Sequence, residues 1–436
     1  MRFSTLQEWL DWQEGLHHSN IELGLERVTK VFRRMHSSLP PCPVITVAGT
    51  NGKGSSVALL ESIYQSAGYQ TGVYTSPHLL RYNERIHLNA EEVSDNMICE
   101  AFERIDQARL NHAEFNNLCD EDNEEISLTY FEFGTLAALD IFFRAMPDLI
   151  ILEVGLGGRL DVVNIIDADV ALITSIGIDH TAWLGNDRET IAVEKAGIMR
   201  KARPVVYSSP DMPNSISETA IKVGARLLQR GKDFSWKKGA GYAAWDWQSG
   251  TQQRTALPQP NLRGEHQLDN AAGVLMVIEQ LADRLSVNQK QIKAGLLSVS
   301  LPGRFQCQPG DPMHILDVAH NESSMVCLAE LLSLQVCGGN NVAVLGMLED
   351  KAHAEALSVM LPKISKWYVA DLDVPRGAKS AQLAAVLQGL DEKTRVDCFS
   401  GVEQAIQAAD SEAKSGDRII IFGSFYTVEF ALQLGI

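Results

Sequence analysis

Nine residues early in the chain, Ala48-Gly-Thr-Asn-Gly-Lys-Gly-Ser-Ser56, have the composition of a phosphate cradle. Glycines let a backbone curl until successive N–H groups face one anion, and a helix that starts at once adds the positive end of its dipole. Lys53 supplies a point charge for the outer phosphates of a nucleotide. The spacing departs from the common G-x-x-x-x-G-K-[ST] rule: two residues separate Gly49 from Gly52, and Gly54 takes the place of the metal-binding hydroxyl, with Ser55 one position later. A glycine-rich turn with an exposed lysine is the plainer reading. The order of strand, loop and helix around the segment favours phosphate.

With the usual hydroxyl displaced, metal ligands must come from elsewhere. Ser76, Glu153 and His180 each follow a short apolar run, at the carboxyl end of a predicted strand. In an open α/β sheet those ends face one crevice, where ligands bind. Taken singly, they also read as a turn serine, a loop-capping glutamate and a satisfied histidine. Magnesium keeps several waters and takes few protein ligands, so a sparse mixed set suits it. The nearby Gly155-Leu-Gly-Gly158 is not a dinucleotide fingerprint, because Leu160 occupies the last glycine position. By spacing alone Lys195 is a solvated lysine on a helix ending at Gly197. Beyond a hinge at 301–303, Asp317 and His320 close the first strand of a second series.

The elements that must position these residues are short β-branched runs alternating with helical stretches, the mark of a parallel α/β sheet. Strands are expected at 44–48, 72–75, 149–153, 170–174 and 204–207, with a core helix over 128–143. Residues 230–260, with Trp236, Trp245 and Trp247 among polar residues, read as a small antiparallel insertion. After the hinge, strands at 314–318, 342–346, 366–370, 395–398 and 418–422 alternate with helices in a doubly wound pattern. The acid-rich stretch 113–126 reads as a solvated loop.

The 38 basic and 55 acidic residues give −17 over 436 residues, which argues against a nucleic-acid partner. The 45% hydrophobic share rules out a mainly disordered chain. Seven cysteines include no C-x-x-C pair, consistent with reduced thiols. The acid-containing N-terminus resembles no leader, and no apolar run approaches the ~18 residues of a membrane span. A cytoplasmic protein without a membrane partner is expected.

Taken together, GTNGKGS, TSPHL at 75–79, LEVGLGGRLD at 152–161, SIGIDHTAWLG at 175–185, EKAGI at 194–198, LPGRFQ at 301–306, LDVAHN at 316–321 and GSFYTV at 423–428 resemble the folylpolyglutamate synthase/dihydrofolate synthase family of the Mur ligase group. The motifs occur in the family's order from about residue 20 to the C-terminus. The resemblance implies a P-loop ATPase domain over 1–298 with a small β insertion, and a Rossmann-like glutamate-ligase domain over 301–436. It implies that Thr50, Asn51, Gly52 and Lys53 hold ATP phosphates, with Asn270, Arg304 and Asp317 also on the nucleotide. Ser76, Glu153 and His180 become magnesium ligands. Lys195 matches a lysine that is carbamylated and helps to bind a second magnesium. His320 and Ser424 fall near the incoming L-glutamate. Asn20, Ile21, Glu22, Leu23, Thr129, Tyr130, Phe131, Glu132, Leu160, Asp161 and Val162 match stretches that hold dihydropteroate, although the TYFEFGTLAAL stretch also passes as a core helix. Lys53, Lys195, His320 and Asp161 are the catalytic candidates.

By family analogy the acceptor carboxylate attacks the γ-phosphorus of ATP, and the glutamate amine then displaces phosphate from the acyl phosphate. Dihydropteroate and tetrahydrofolate derivatives are the expected acceptors, and a monomer is the expected state. The alternatives are a folylpolyglutamate synthase only, a Mur-type peptidoglycan ligase, and a switch or motor ATPase without ligase activity.

Overall fold

The computed structural model describes residues 2–19, 22–38, 40, 42–111, 125–239, 244–250 and 252–436. The chain forms two compact units. The first comprises Met1–Ile176, Asp187–Asn261 and Leu268–Val299, and the second Gly177–Asn186, Leu262–Gln267 and Ser300–Ile436. Segments 177–186 and 262–267 therefore group with the second unit, although they lie inside the span expected for the first. Residues 113–124 of the expected acidic loop lie outside the described residues.

The first unit is built on β1 (Val44–Ala48), β2 (Thr71–Tyr74), β3 (Ile86–Leu88), β4 (Glu91–Glu92), β5 (Leu149–Glu153), β6 (Val170–Ile173), β7 (Pro204–Tyr207) and β8 (Arg226–Gln229). Their order in the sheet is β4-β3-β2-β5-β1-β6-β7-β8. The strands from β2 to β8 run parallel, and β3 and β4 add an antiparallel edge. Strands β1 and β5 are buried along their whole length, which is why they read as continuous apolar runs. The short β3, β4 and β8, none of them buried along its length, carry no such run and were not expected. The chain leaves β1 towards β2 on one side and β6 towards β7 on the other. The direction therefore reverses at the carboxyl ends of β5, β1 and β6, where a ligand crevice forms.

The core helix is Tyr130–Ala145, and of its two buried acids, Glu132 and Asp140, the second is held by Arg104 at 2.5 Å. The expected insertion is a three-stranded antiparallel sheet of β9 (Phe234–Lys238), β10 (Ala244–Ser249) and β11 (Gln252–Pro258). Trp245 and Trp247 are fully buried there, and Trp247 Nε1 donates to Ala272 O on the helix His266–Gln280.

In the second unit, β12 (Gln306–Gln308), β13 (Met313–Asp317), β14 (Asn341–Leu345), β15 (Lys366–Ala370), β16 (Val396–Phe399) and β17 (Arg418–Phe422) form a sheet in the order β12-β13-β17-β14-β15-β16. All pairs are parallel except the β12 hairpin edge. A core of Ile315, Leu345, Trp367, Ile420 and Phe422 fills the space between this sheet and its helices. Both units are mixed α/β, as expected.

Helix Gln289–Ser298 crosses helix Lys53–Ser66 at Gly295, where an added Cβ would stand 2.5 Å from Ile63 Cα. Overpacking two helix backbones costs about 1–3 kcal/mol. Gly295→Ala should destabilise the first unit by that amount, read as a lower urea midpoint of its transition, and an unchanged midpoint would contradict this packing.

Candidate functional site

The helix Lys53–Ser66 starts at Gly52, whose φ of 88° is a left-handed conformation that side-chain-bearing residues avoid. An added Cβ would also stand 2.6 Å from Asn270 Oδ1, so Asn270 lies directly against the loop. At Gly49, with φ 152°, a Cβ would overlap the Thr174 hydroxyl. The loop is braced from the end of β6: Thr50 N donates to Ser175 O at 2.7 Å, and Thr174 Oγ1 donates to Asn51 O at 2.7 Å. Ser175 Oγ adds a third bond to Asn51 O at 3.1 Å. Thr174 carries no motif, and Ser175 opens the stretch SIGIDHTAWLG without a role of its own. Their position at a strand end facing the loop is the only signal that could have found them.

Two lysines meet at this loop. Lys53 Nζ donates to Gly49 O at 3.2 Å and to Thr50 O at 3.3 Å, while Lys195 Nζ reaches the same Gly49 O at 2.9 Å. Lys195 is 5% exposed, so the solvated-lysine reading gives way to a buried ammonium aimed at the phosphate cradle. Its helix, Arg188–Ala196, is docked by the glycine-rich segment: a Cβ on Gly158 would meet Glu194 O at 2.8 Å, and Arg159 N donates to that same oxygen. Close packing, rather than a dinucleotide, explains Gly158.

Glu153 pairs in register with Val47 and is 5% exposed at the carboxyl end of β5. Ser76 follows β2, and both Ser76 Oγ and the Phe131 ring lie beside Gly155. A hydroxyl and a carboxylate are hard oxygen donors, a chemistry that fits magnesium. His180 lies in the segment that groups with the second unit, and its own φ is 52°.

Asp161 is buried and accepts from Leu156 N at 2.8 Å and Val163 N at 3.0 Å. Burial pushes its carboxyl up to about 6, against the pull of the backbone donors and of Lys53. Its neighbours Leu160 and Val162 flank this turn, Val162 buried and Leu160 half-buried. Asn20 and Ile21 lie outside the described residues. Glu22 pairs with Arg27, which also holds Glu132 at 2.8 Å; Leu23 is half-buried. Thr129 and Glu132 form a capping box on the helix Tyr130–Ala145, so both side chains are committed to the fold. Tyr130 packs on Arg85, leaving the half-exposed Phe131 as the ring of that segment beside Ser76.

In the second unit, Asp317 is buried and accepts from Phe305 N and Ala319 N, both at 2.8 Å. Burial raises its carboxyl, with Arg304 opposing. Arg304 stacks over Phe425 at 5.3 Å. Ser424 is buried as the N-cap of the helix Phe425–Gln433, accepting from Thr427 N at 3.0 Å. His320 bonds Val318 O through Nδ1 at 2.8 Å and Asp179 Oδ2 through Nε2 at 3.3 Å. Asp179 also accepts from Asn321 at 3.0 Å and from Lys351 at 2.6 Å. Burial works against this charge, yet the His320 hydrogen bond and the charges of His320, His180 and Lys351 hold the carboxyl well below its ordinary range. Sequence reasoning missed Asp179 and Lys351. Both follow short apolar runs, which was the available clue.

Residues 303–425 match the family described as Mur ligase, glutamate ligase domain. The chain is 42% identical to the dihydrofolate synthase/folylpolyglutamate synthase of Escherichia coli (strain K12), across 99% of this chain and 96% of that one. The solved structure of E. coli FolC in complex with DHPP and ADP is similar with a TM-score of 0.90 and 40% identity, covering 99% of this chain and 97% of that one. A bifunctional folylpolyglutamate synthase/dihydrofolate synthase with Mn, AMPPNP and L-glutamate bound is similar with a TM-score of 0.88 and 43% identity, over 99% and 98% of the two chains.

The raised Asp161 sets a sign for stability. A carboxyl that titrates near 6 when folded and near 3.8 when unfolded binds more protons in the folded chain between those values. Its contribution to stability therefore falls as pH rises from 3.8 to about 6 and is constant above. Urea midpoints of wild type minus Asp161→Asn should follow that curve. A difference that is flat across the window would show that Asp161 is not raised.

Proposed function

The chain belongs to the dihydrofolate synthase/folylpolyglutamate synthase family, and on that premise we propose that it uses ATP to join L-glutamate both to dihydropteroate and to reduced folates. It is an ATP-dependent ligase that works with a divalent metal. The observation that supports this reading most is the convergence of Lys53 and Lys195 on the Gly49 carbonyl, at a strand-to-helix loop open to phosphate.

Thr50, Asn51, Gly52 and Lys53 form the cradle for the phosphates, Gly52 and Lys53 with backbone N–H groups at the helix start and Lys53 with its ammonium, and Asn270, Arg304 and Asp317 are further nucleotide contacts. Ser76 and Glu153 hold magnesium on the first unit, and His180 is a ligand from the segment 177–186. When bound, magnesium neutralises phosphate charge as the γ-phosphoryl group transfers. Phe131 offers a ring face to the flat acceptor beside Ser76, and Glu22, Leu23, Leu160, Asp161 and Val162 complete its surroundings. The acceptor carboxylate oxygen attacks the γ-phosphorus and ADP leaves. The glutamate nitrogen then attacks the acyl carbonyl, and phosphate departs with the carboxylate oxygen. His320, oriented by Val318 O and Asp179, would with Lys351 supply the positive charge that anionic glutamate and the developing oxyanion need.

Carbamylation of Lys195 would turn a second ammonium beside Lys53 into an anion able to bind a second magnesium. Activity should fall on dialysis into carbon dioxide-free buffer and return with bicarbonate. Wild-type activity indifferent to bicarbonate, with no mass increment on Lys195, would remove this step.

ADP formation, measured with each acceptor with and without L-glutamate, tests the main reading. Turnover is expected with dihydropteroate and with tetrahydrofolate, each dependent on glutamate, and Lys53→Met should lower it about 100-fold or more. Activity on tetrahydrofolate alone leaves a folylpolyglutamate synthase. Activity only on a UDP-sugar acceptor points to a peptidoglycan ligase, and acceptor-independent hydrolysis to an ATPase.

A further inference from the structure

The proposed reaction leaves a histidine pair near the N-terminus unused. The His17 and His18 rings lie 4.3 Å apart, and Glu22 Oε2 is 2.6 Å from His17 Nε2 and 3.6 Å from His18 Nε2. The three donor atoms all fall within 4.8 Å of one another. Two imidazoles and one carboxylate make a zinc-type donor set, whereas magnesium favours oxygen throughout. Four-coordinate zinc with bonds near 2 Å spaces its ligand atoms about 3.3 Å apart, a separation that small side-chain rotations reach from this arrangement.

Both ring nitrogens of His17 are engaged. Ser127 Oγ lies 2.8 Å from His17 Nδ1 and, when its one hydrogen goes to Leu16 O at 3.1 Å, accepts from that nitrogen. With the hydrogen on Nδ1, the Nε2 lone pair points at the Glu22 carboxylate. A proton bridges this 2.6 Å contact, and a divalent cation displacing it would part the two atoms to about 3.3 Å. A hydroxyl that fixes the tautomer through the far ring nitrogen is the arrangement that metal-bound histidines use. Arg27 occupies the other Glu22 oxygen and turns Oε2 towards the histidines, and Arg27 is itself anchored on the buried Glu132 at 2.9 Å. The His17 side chain is 7% exposed and that of His18 79%, so one ligand is fixed and the other closes from solvent, leaving room for water as the fourth.

We propose that His17, His18 and Glu22 bind one zinc-class divalent cation, separately from the magnesium chemistry at the phosphate loop. The test uses the full chain, stripped of metal and kept in excess Mg2+, titrated with Co2+ and then Zn2+. One equivalent of Co2+ should develop the intense visible absorption of a four-coordinate nitrogen–oxygen site, and Zn2+ should bleach it. His18→Ala, at an exposed position that the fold does not need, should weaken binding at least about tenfold, and Ser127→Ala about 10–100-fold through the lost orientation of His17. Only the weak absorption of six-coordinate cobalt, or an intense band that survives His18→Ala unchanged, would overturn the proposal. The readout does not depend on ligase activity, so its failure leaves the ligase reading standing.

Discussion

Two ammonium groups share the Gly49 carbonyl oxygen, Lys195 at 2.9 Å and Lys53 at 3.2 Å, so they lie at most about 6 Å apart. At an effective dielectric of about 20 their repulsion is at least about 3 kcal/mol. The fold holds them there because the loop cannot relax. Thr174, Ser175 and Asn270 brace it, and glycine alone fits at positions 49 and 52. Lys53 supplies positive charge there in advance, and carbamylation of Lys195 would relieve the repulsion and bring further positive charge as a second magnesium. The remainder of the first unit serves this geometry. Gly158 lets the helix carrying Lys195 dock closely, and the insertion fixes the neighbourhood of Asn270 through Asp269, which accepts from Trp236 Nε1 at 2.6 Å and pairs with Arg230 at 2.6 Å.

The second unit solves a related problem with the opposite sign. Asp179 is buried and negative, and three donors, from His320, Asn321 and Lys351, surround it. Removing one partner of such a group leaves an uncompensated buried charge, which costs more than the pair itself contributes. The cluster therefore fixes the orientation of His320 and the path of the chain that leads into His180. This accounts for segment 177–186 grouping with residues far along the chain. The net charge of −17 reads differently in this light. A protein whose proposed substrates are all anions gathers its cations in small braced clusters, and its overall acidity says nothing about them.

The architecture was legible wherever a strand is buried on both faces, since β1, β5 and β17 read as unbroken apolar runs. The short strands β3, β4 and β8 at the margins of the sheet were not, because so few, partly exposed residues carry no period to detect. At the site, glycine at positions 49 and 52 was legible because backbone geometry demands it. Thr174, Asp179 and Lys351 are single polar residues, and only the folded chain shows what they face. Thr129 and Glu132 show the converse: the spacing T-x-x-E is itself a helix-start signature, and the structure commits both side chains to that cap. Ser424 is committed in the same way.

The proposed ligation depends on activation of the acceptor carboxylate by ATP. Dihydropteroate labelled with 18O in that carboxylate, turned over with ATP and L-glutamate, tests it most directly. One labelled oxygen in each phosphate released is the predicted result, because phosphate leaves with the oxygen that attacked the γ-phosphorus. Unlabelled phosphate accompanying amide formation would contradict it.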